Sequence, residues 1–257
     1  MIRDLPKGLR SGKKFKDDRH ILGWLIERLQ DPGRKDLYFN RLSAHQDALL
    51  ETATGIFRSE LSYAKGIYVL SGREDADSAI PIVRSLLELW ADFKYLLKPE
   101  EPDRVSRVRI WGALVILHRL KPGQPPNPDV QSAVHSMRRS EPALFASVEK
   151  QYEKNPMGHY SGKGRKRLIT EVCGDDSGHL YEFLSWEVHP ITQGLIDVTT
   201  HRAEGGARVR RFVYRQEREK LARFVCAPAI NVLSDSWSVF VKTFGSHGRP
   251  RTRRKKA

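Results

Sequence analysis

Cysteine is scarce in this chain: two residues, Cys173 and Cys226, in 257. No CxxC pair occurs, which excludes a zinc module. Two thiols so far apart in sequence fit a reducing compartment rather than a disulfide scaffold. No HExxH or other dense spacing of His, Cys and carboxylates is present, so neither a metal nor a cofactor is expected. The opening stretch, MIRDLPKGLRSGKKFKDD, lacks the apolar centre of a signal peptide. No run approaches about 18 uncharged apolar residues, so no membrane contact is expected and the cytoplasm is the expected setting. Alternating apolar and polar residues are also rare, which leaves helical periodicity as the dominant signal.

What the chain does have is positive charge. Its 45 Lys and Arg against 31 Asp and Glu give a net charge of +14, and its pI is near 9.9. Such an excess points to an acidic partner, most simply nucleic acid, with RNA favoured over DNA; the plainer alternative is charge that serves solubility alone. Hydrophobic residues make up 39% of the chain, enough for one sizeable core. A homo-oligomer is left open.

The periodicity predicts an all-α helical bundle in one domain over 20–245. A basic N-terminal arm over 1–19 precedes it and a basic, disordered tail over 246–257 follows. Helices are expected over 20–30, within 36–71, and over 75–98, with Asp75 or Asp77 as a cap and Pro81 in the first turn. Others are expected over 102–120, over 129–154 with a break near Ser140-Glu141-Pro142, over the segment KGRKRLITEVCG ending at Gly174, over 176–188 and over 215–243. The four prolines of KPGQPPNPD mark a loop. A short hairpin is expected around Gly205-Gly206.

Three segments carry residues suited to chemistry. In RSLLELWADFKYL, the residues Arg84, Glu88, Asp92 and Tyr95 recur at helical spacing and share one face. The rest of that helix is apolar, so it is expected to be buried, and its polar stripe needs partners because unpaired buried charge is costly. The alternative is a solvated face with i,i+4 pairs. In YEFLSWEVHP, Tyr181, Ser185 and His189 form a second stripe, with His189 placed at a helix end by Pro190. Histidine suits proton transfer near neutral pH, although a lone helical histidine is more often a structural hydrogen-bonder. In HYSGKGRKR, the bends allowed by Gly162 and Gly164 lead basic side chains into a helix start, an arrangement suited to phosphate, though the spacing is not that of a P-loop.

In this order, the three segments resemble the bacterial "domain of unknown function fifty-six seventy-seven" family. The matching residues are Arg84, Glu88, Asp92, Tyr95 and Leu96; His159, Ser161, Gly162 and Lys163; and Tyr181, Ser185 and His189. The resemblance spans about 45–200 and implies an all-helical fold with a shared polar site, but no particular reaction. A cleft holding Arg and His is also similar to that of HEPN ribonucleases. Their Arg-x(4–6)-His spacing is absent, since Arg41 to His45 is too short and Arg109 to His118 too long, so the two groups would have to come from different helices, as Arg84 and His189 could.

The expected function is nucleic-acid binding. A metal-independent ribonuclease of a stress or phage-defence system is the alternative, with Arg84, Glu88 and His189 catalytic. Asp92, Tyr95, His159, Ser161, Lys163, Arg165 and Ser185 are expected to bind substrate. A ligand-sensing or structural scaffold is the third reading.

Overall fold

A computed structural model describes residues 15–30, 44–72, 76–98, 103–118, 127–156, 158–187, 199–202, 208–211 and 218–244. The basic arm up to residue 14, the tail, most of the proline-rich loop and the pair His189-Pro190 lie outside these residues.

The described chain is an all-α bundle with one small hairpin. Helix α1 (Asp18–Gln30) buries Ile21, Leu22, Leu25, Ile26 and Leu29, the apolar stripe its periodicity predicts. Helix α2 (Ala44–Ser71) buries Ala53, Phe57, Leu61, Ala64 and Ile67. Helix α3 (Ile80–Leu96) is the central element and packs against α2, α7, α8 and α9. Of its two expected caps, Asp75 lies outside the described residues. A 3-10 turn, Ala76–Ala79, leads into it, and its N-cap is Ala79, without a side-chain hydrogen bond. The other end is closed by a cation. The buried Arg104, at the start of α4 (Arg104–His118), donates from Nη1 to the Tyr95 carbonyl at 2.7 Å, satisfying one carbonyl of the last turn of α3.

Helices α5 (Pro128–Ser140) and α6 (Pro142–Lys154) form an arm against α4. Each begins with a proline at a first-turn position, where a missing N–H costs nothing. Asn127 caps α5 by accepting from the Asp129 amide at 2.8 Å. The break between α5 and α6 falls at Glu141, as the sequence predicts.

Helices α7 (Arg165–Cys173) and α8 (Asp175–Glu187) fold back on one another and on α3. They come together at Gly178, where a Cβ would overlap the Thr170 hydroxyl, so any larger residue requires the Thr170 side chain to shift. Strands β1 (Thr199–Arg202) and β2 (Arg208–Arg211) pair antiparallel, with His201 opposite Val209; the expected turn at Gly205-Gly206 lies outside the described residues.

The last helix, α9 (Arg218–Phe244), closes the bundle against α1, α2 and α3. By length and composition Leu221–Phe244 is apolar enough to cross a membrane. Arg223, Asp235 and Lys242 interrupt it, so it contains no long uncharged run. In the bundle its apolar side chains form a packing face: Val225, Ala229, Ile230, Val232 and Leu233 are buried. Trp237 and Phe240 meet Phe57 of α2 with ring centroids 6.0 Å apart in each pair, and Phe57 in turn meets Phe93 of α3.

One acid sits inside this core. Glu60 of α2 is fully buried beside Ser236 of α9, and neither side chain makes a hydrogen bond of good geometry. Burial raises its pKa well above the usual value of 4.5, and Asp235 and Asp92 push the same way. The folded protein therefore holds this proton more tightly than the unfolded chain does. Stability is highest below the unfolded-chain value and falls as pH rises from there toward the folded value. Glu60→Gln cannot ionise. The variant should gain on the wild type with rising pH, by up to about 1.4 kcal/mol per pH unit within that window. Urea denaturation from pH 5 to pH 8 measures the difference, and a constant offset across that range would contradict it.

Candidate functional site: a polar ladder along α3

Arg84, Glu88 and Asp92 rise along one face of α3, and that face is covered by α7, α8 and the loop between α6 and α7. Tyr181 of α8 bridges the first two rungs. Its hydroxyl accepts from Arg84 Nη2 at 3.2 Å and donates to Glu88 Oε1 at 2.8 Å. Arg84 Nε also lies 3.6 Å from Glu88. Arg165, the first residue of α7, bridges the next two, with Nε 3.9 Å from Glu88 and Nη1 3.3 Å from Asp92 Oδ1. At the inner end His159 Nε2 meets Asp92 Oδ1 at 2.5 Å.

The loop is organised around His159. Ser161 donates its backbone N–H to His159 Nδ1 at 3.1 Å, and its hydroxyl lies 2.6 Å from the same nitrogen. A nitrogen that accepts a backbone N–H carries no proton of its own, so the ring proton sits on Nε2 and points at Asp92. Gln151 of α6 donates to the His159 carbonyl at 2.6 Å, and the Gly162 amide closes a tight turn onto that carbonyl at 2.9 Å. Gly162 has φ +74°, a conformation that favours glycine, so the turn depends on this residue. The Lys163 amide donates to Ser161 Oγ at 3.2 Å.

Exposure falls along the ladder. The side chains of Arg84, Glu88, Asp92 and His159 are 34%, 26%, 17% and 1% exposed. Ionic groups occupy the wet end and the neutral imidazole the dry one, the order that desolvation favours.

The expected site residues divide accordingly. Arg84, Glu88, Asp92, His159, Ser161 and Arg165 join one network. Tyr95 is buried, with its ring edge-on to His159, so it backs the histidine and does not face a substrate. Lys163 is drawn elsewhere. Its ammonium pairs with Glu171 of α7 at 2.6 Å, and Lys98 reaches the same carboxylate at 3.3 Å. The hydrogen bond from Lys163 and the one from Lys98 hold the Glu171 pKa below its usual value. Ser185 donates its hydroxyl to the Tyr181 carbonyl one turn back within α8. His189 lies outside the described residues.

Three contributors escaped the sequence reading. Glu171 had a weak signal, lying two turns from Lys163 on the same segment. Gln151 had none. Tyr160 is buried against the His159 ring at a centroid distance of 3.8 Å. Its hydroxyl has no well-formed hydrogen bond, and burial, reinforced by the charge of Asp92, raises its pKa well above 10.0.

Among the described residues no group of three or more His, Cys, Asp and Glu is placed to hold a metal ion. An apolar cavity of about 460 Å³ lies between α3, α8 and α9, bounded by Leu87, Trp90, Leu180, Phe224 and Pro228; no ladder residue lines it.

The class the fold and site define is an all-α bundle whose central helix carries a charge-balanced polar ladder. Comparison with protein-family models, with curated proteins and with solved structures finds no match to this chain.

The ladder's energetics are testable. Tyr181→Phe removes one bridge between half-exposed ions and should cost about 1 kcal/mol. Asp92→Ala leaves a buried imidazole N–H without its acceptor and the Arg165 guanidinium with Glu88 alone, and should cost about 2–3 kcal/mol. Chemical denaturation measures both; equal losses would contradict the gradient of burial along the ladder.

Proposed function

We propose that this is a nucleic-acid-binding protein, RNA-directed in preference to DNA, that grips the phosphate backbone through its basic ends. The supporting observation is where the charge lies. Residues 1–14 carry five Lys and Arg against one Asp, and residues 245–257 carry six with no acid. The cations of the ladder are already matched: Arg84 and Arg165 by Glu88 and Asp92, and Lys163 by Glu171. A neutralised cluster attracts phosphate weakly, so the backbone contacts fall to the ends.

The ladder itself favours a second reading, that of a scaffold, because each of its ions has a partner. In that reading the helices form a rigid body that carries the basic segments. The ribonuclease reading needs an Arg–His pair at Arg84, and its histidine, His189, is outside the described residues. The family resemblance rests on these same motifs and stays a reading of the sequence.

Binding to a single-stranded RNA should weaken steeply with salt. Removing residues 246–257 deletes six positive charges, and the log–log salt slope should become shallower by about 0.7–0.9 for each phosphate that the shortened protein no longer neutralises. Tail removal should leave the helical signal in circular dichroism unchanged, since the tail has no large apolar side chain to bury. No binding at low salt, or a slope unaffected by tail removal, would contradict the proposal.

A further inference from the structure

The dry end of the ladder has the connectivity of a nucleophile, a base and an orienting acid. Asp92 Oδ1 accepts the proton of His159 Nε2, and this leaves the Nδ1 lone pair shared between the Ser161 amide at 3.1 Å and, closer, the Ser161 hydroxyl at 2.6 Å. The histidine is almost fully enclosed, whereas Ser161 and Asp92 are each partly exposed. The base is thus sheltered and fixed in one tautomer, and the group it faces is accessible, which are the two requirements of an activated serine.

We propose that Ser161 is a nucleophile that accepts the acyl group of an activated carboxylic ester, with His159 as its general base and Asp92 as the residue that orients the base. Three further features fit this chemistry. The Lys163 amide already donates to Ser161 Oγ at 3.2 Å and favours negative charge on that oxygen. Helix α7 begins four residues beyond Ser161, its Gly164 N-cap has no capping side chain, and nothing stands within 4 Å of where a Cβ on Gly164 would project. The amides of a helix's first turn lack intrahelical acceptors and suit a developing oxyanion. Finally, the surrounding charges cancel. A phosphodiester would bring charge that Arg165 is not free to neutralise, because Asp92 and Glu88 hold it; a neutral ester carbonyl brings none.

In the first step a bond forms between Ser161 Oγ and the carbonyl carbon. The hydroxyl proton passes to His159 Nδ1, and the carbonyl π pair moves onto oxygen. Collapse of this intermediate expels the alcohol, which leaves with the proton from Nδ1 and yields an acyl-serine. Water, deprotonated by the same nitrogen, then cleaves the acyl-serine to a carboxylic acid and restores the hydroxyl.

A bare hydrogen bond that caps the turn would give the same distances, and reactivity separates the two cases. The full chain is treated with a fluorophosphonate probe, in which Oγ displaces fluoride from phosphorus and the hydroxyl proton leaves through His159. The modified residue is then located by peptide mass spectrometry. Ser161 should be labelled on the order of a hundredfold faster in the native protein than in the same protein unfolded in urea. Asp92→Asn and His159→Gln variants, shown by circular dichroism to be folded, should lose most of that advantage. Labelling of Ser161 no faster than in the unfolded chain, or unchanged in both variants, overturns the proposal. If neither variant folds, the native-to-unfolded ratio of the wild type decides alone.

Discussion

The hydrogen bond between Asp92 and His159 carries more of this structure than its single distance suggests. Among its described residues the segment between α6 and α7 has no regular secondary structure, yet it buries His159 and Tyr160. Its backbone groups need partners, and the histidine organises them: its ring accepts the Ser161 amide and its carbonyl takes both Gln151 and Gly162. Asp92 fixes the ring in the tautomer that allows this. Without that acceptor, Nδ1 would be free to take the proton, and the Ser161 amide would face a donor. The turn that leads to α7 would then lose one of its hydrogen bonds.

The remaining rungs follow from placing charge on an otherwise apolar helix. Val83, Leu86, Leu87, Trp90 and Phe93 commit α3 to the core. Its polar face must then be matched by groups from α7 and α8, and the matches are alternately ionic and hydrogen-bonded. Tyr181 inserts a neutral hydroxyl between Arg84 and Glu88, and Arg165 joins the two carboxylates that would otherwise repel across one helical turn. A comparable arrangement holds on another side of α3, where Trp90 donates to Asp235 of α9 at 2.9 Å and Lys94 pairs with the same carboxylate at 3.2 Å.

Much of the bundle was legible in the sequence because its signals are local. The stripe of α1, the break before Pro142 and the end of α7 at Gly174 are each written within a few residues. The candidate site was legible only in part. Spacing places Arg84, Glu88 and Asp92 on one face, but it does not say which segment covers that face. His159 and Arg165 arrive from some 70 residues later in the chain. The stripe through Tyr181 and Ser185 divided for a similar reason: Tyr181 points at α3, while Ser185 satisfies itself on the carbonyl one turn back. Glu60 gave no warning at all. A lone acid in a helix reads as solvated, and only the arrival of α9 makes it buried.

The loop and the ladder both depend on the protonation pattern of one ring. In the 15N-labelled protein, long-range proton–nitrogen correlation spectra distinguish the two imidazole nitrogens of each histidine. His159, assigned by its loss in His159→Gln, should show a neutral ring with its proton on Nε2, protected from exchange with solvent by Asp92. A proton on Nδ1 would contradict this, because the Ser161 amide would then have no acceptor and the Asp92 contact would no longer organise the loop.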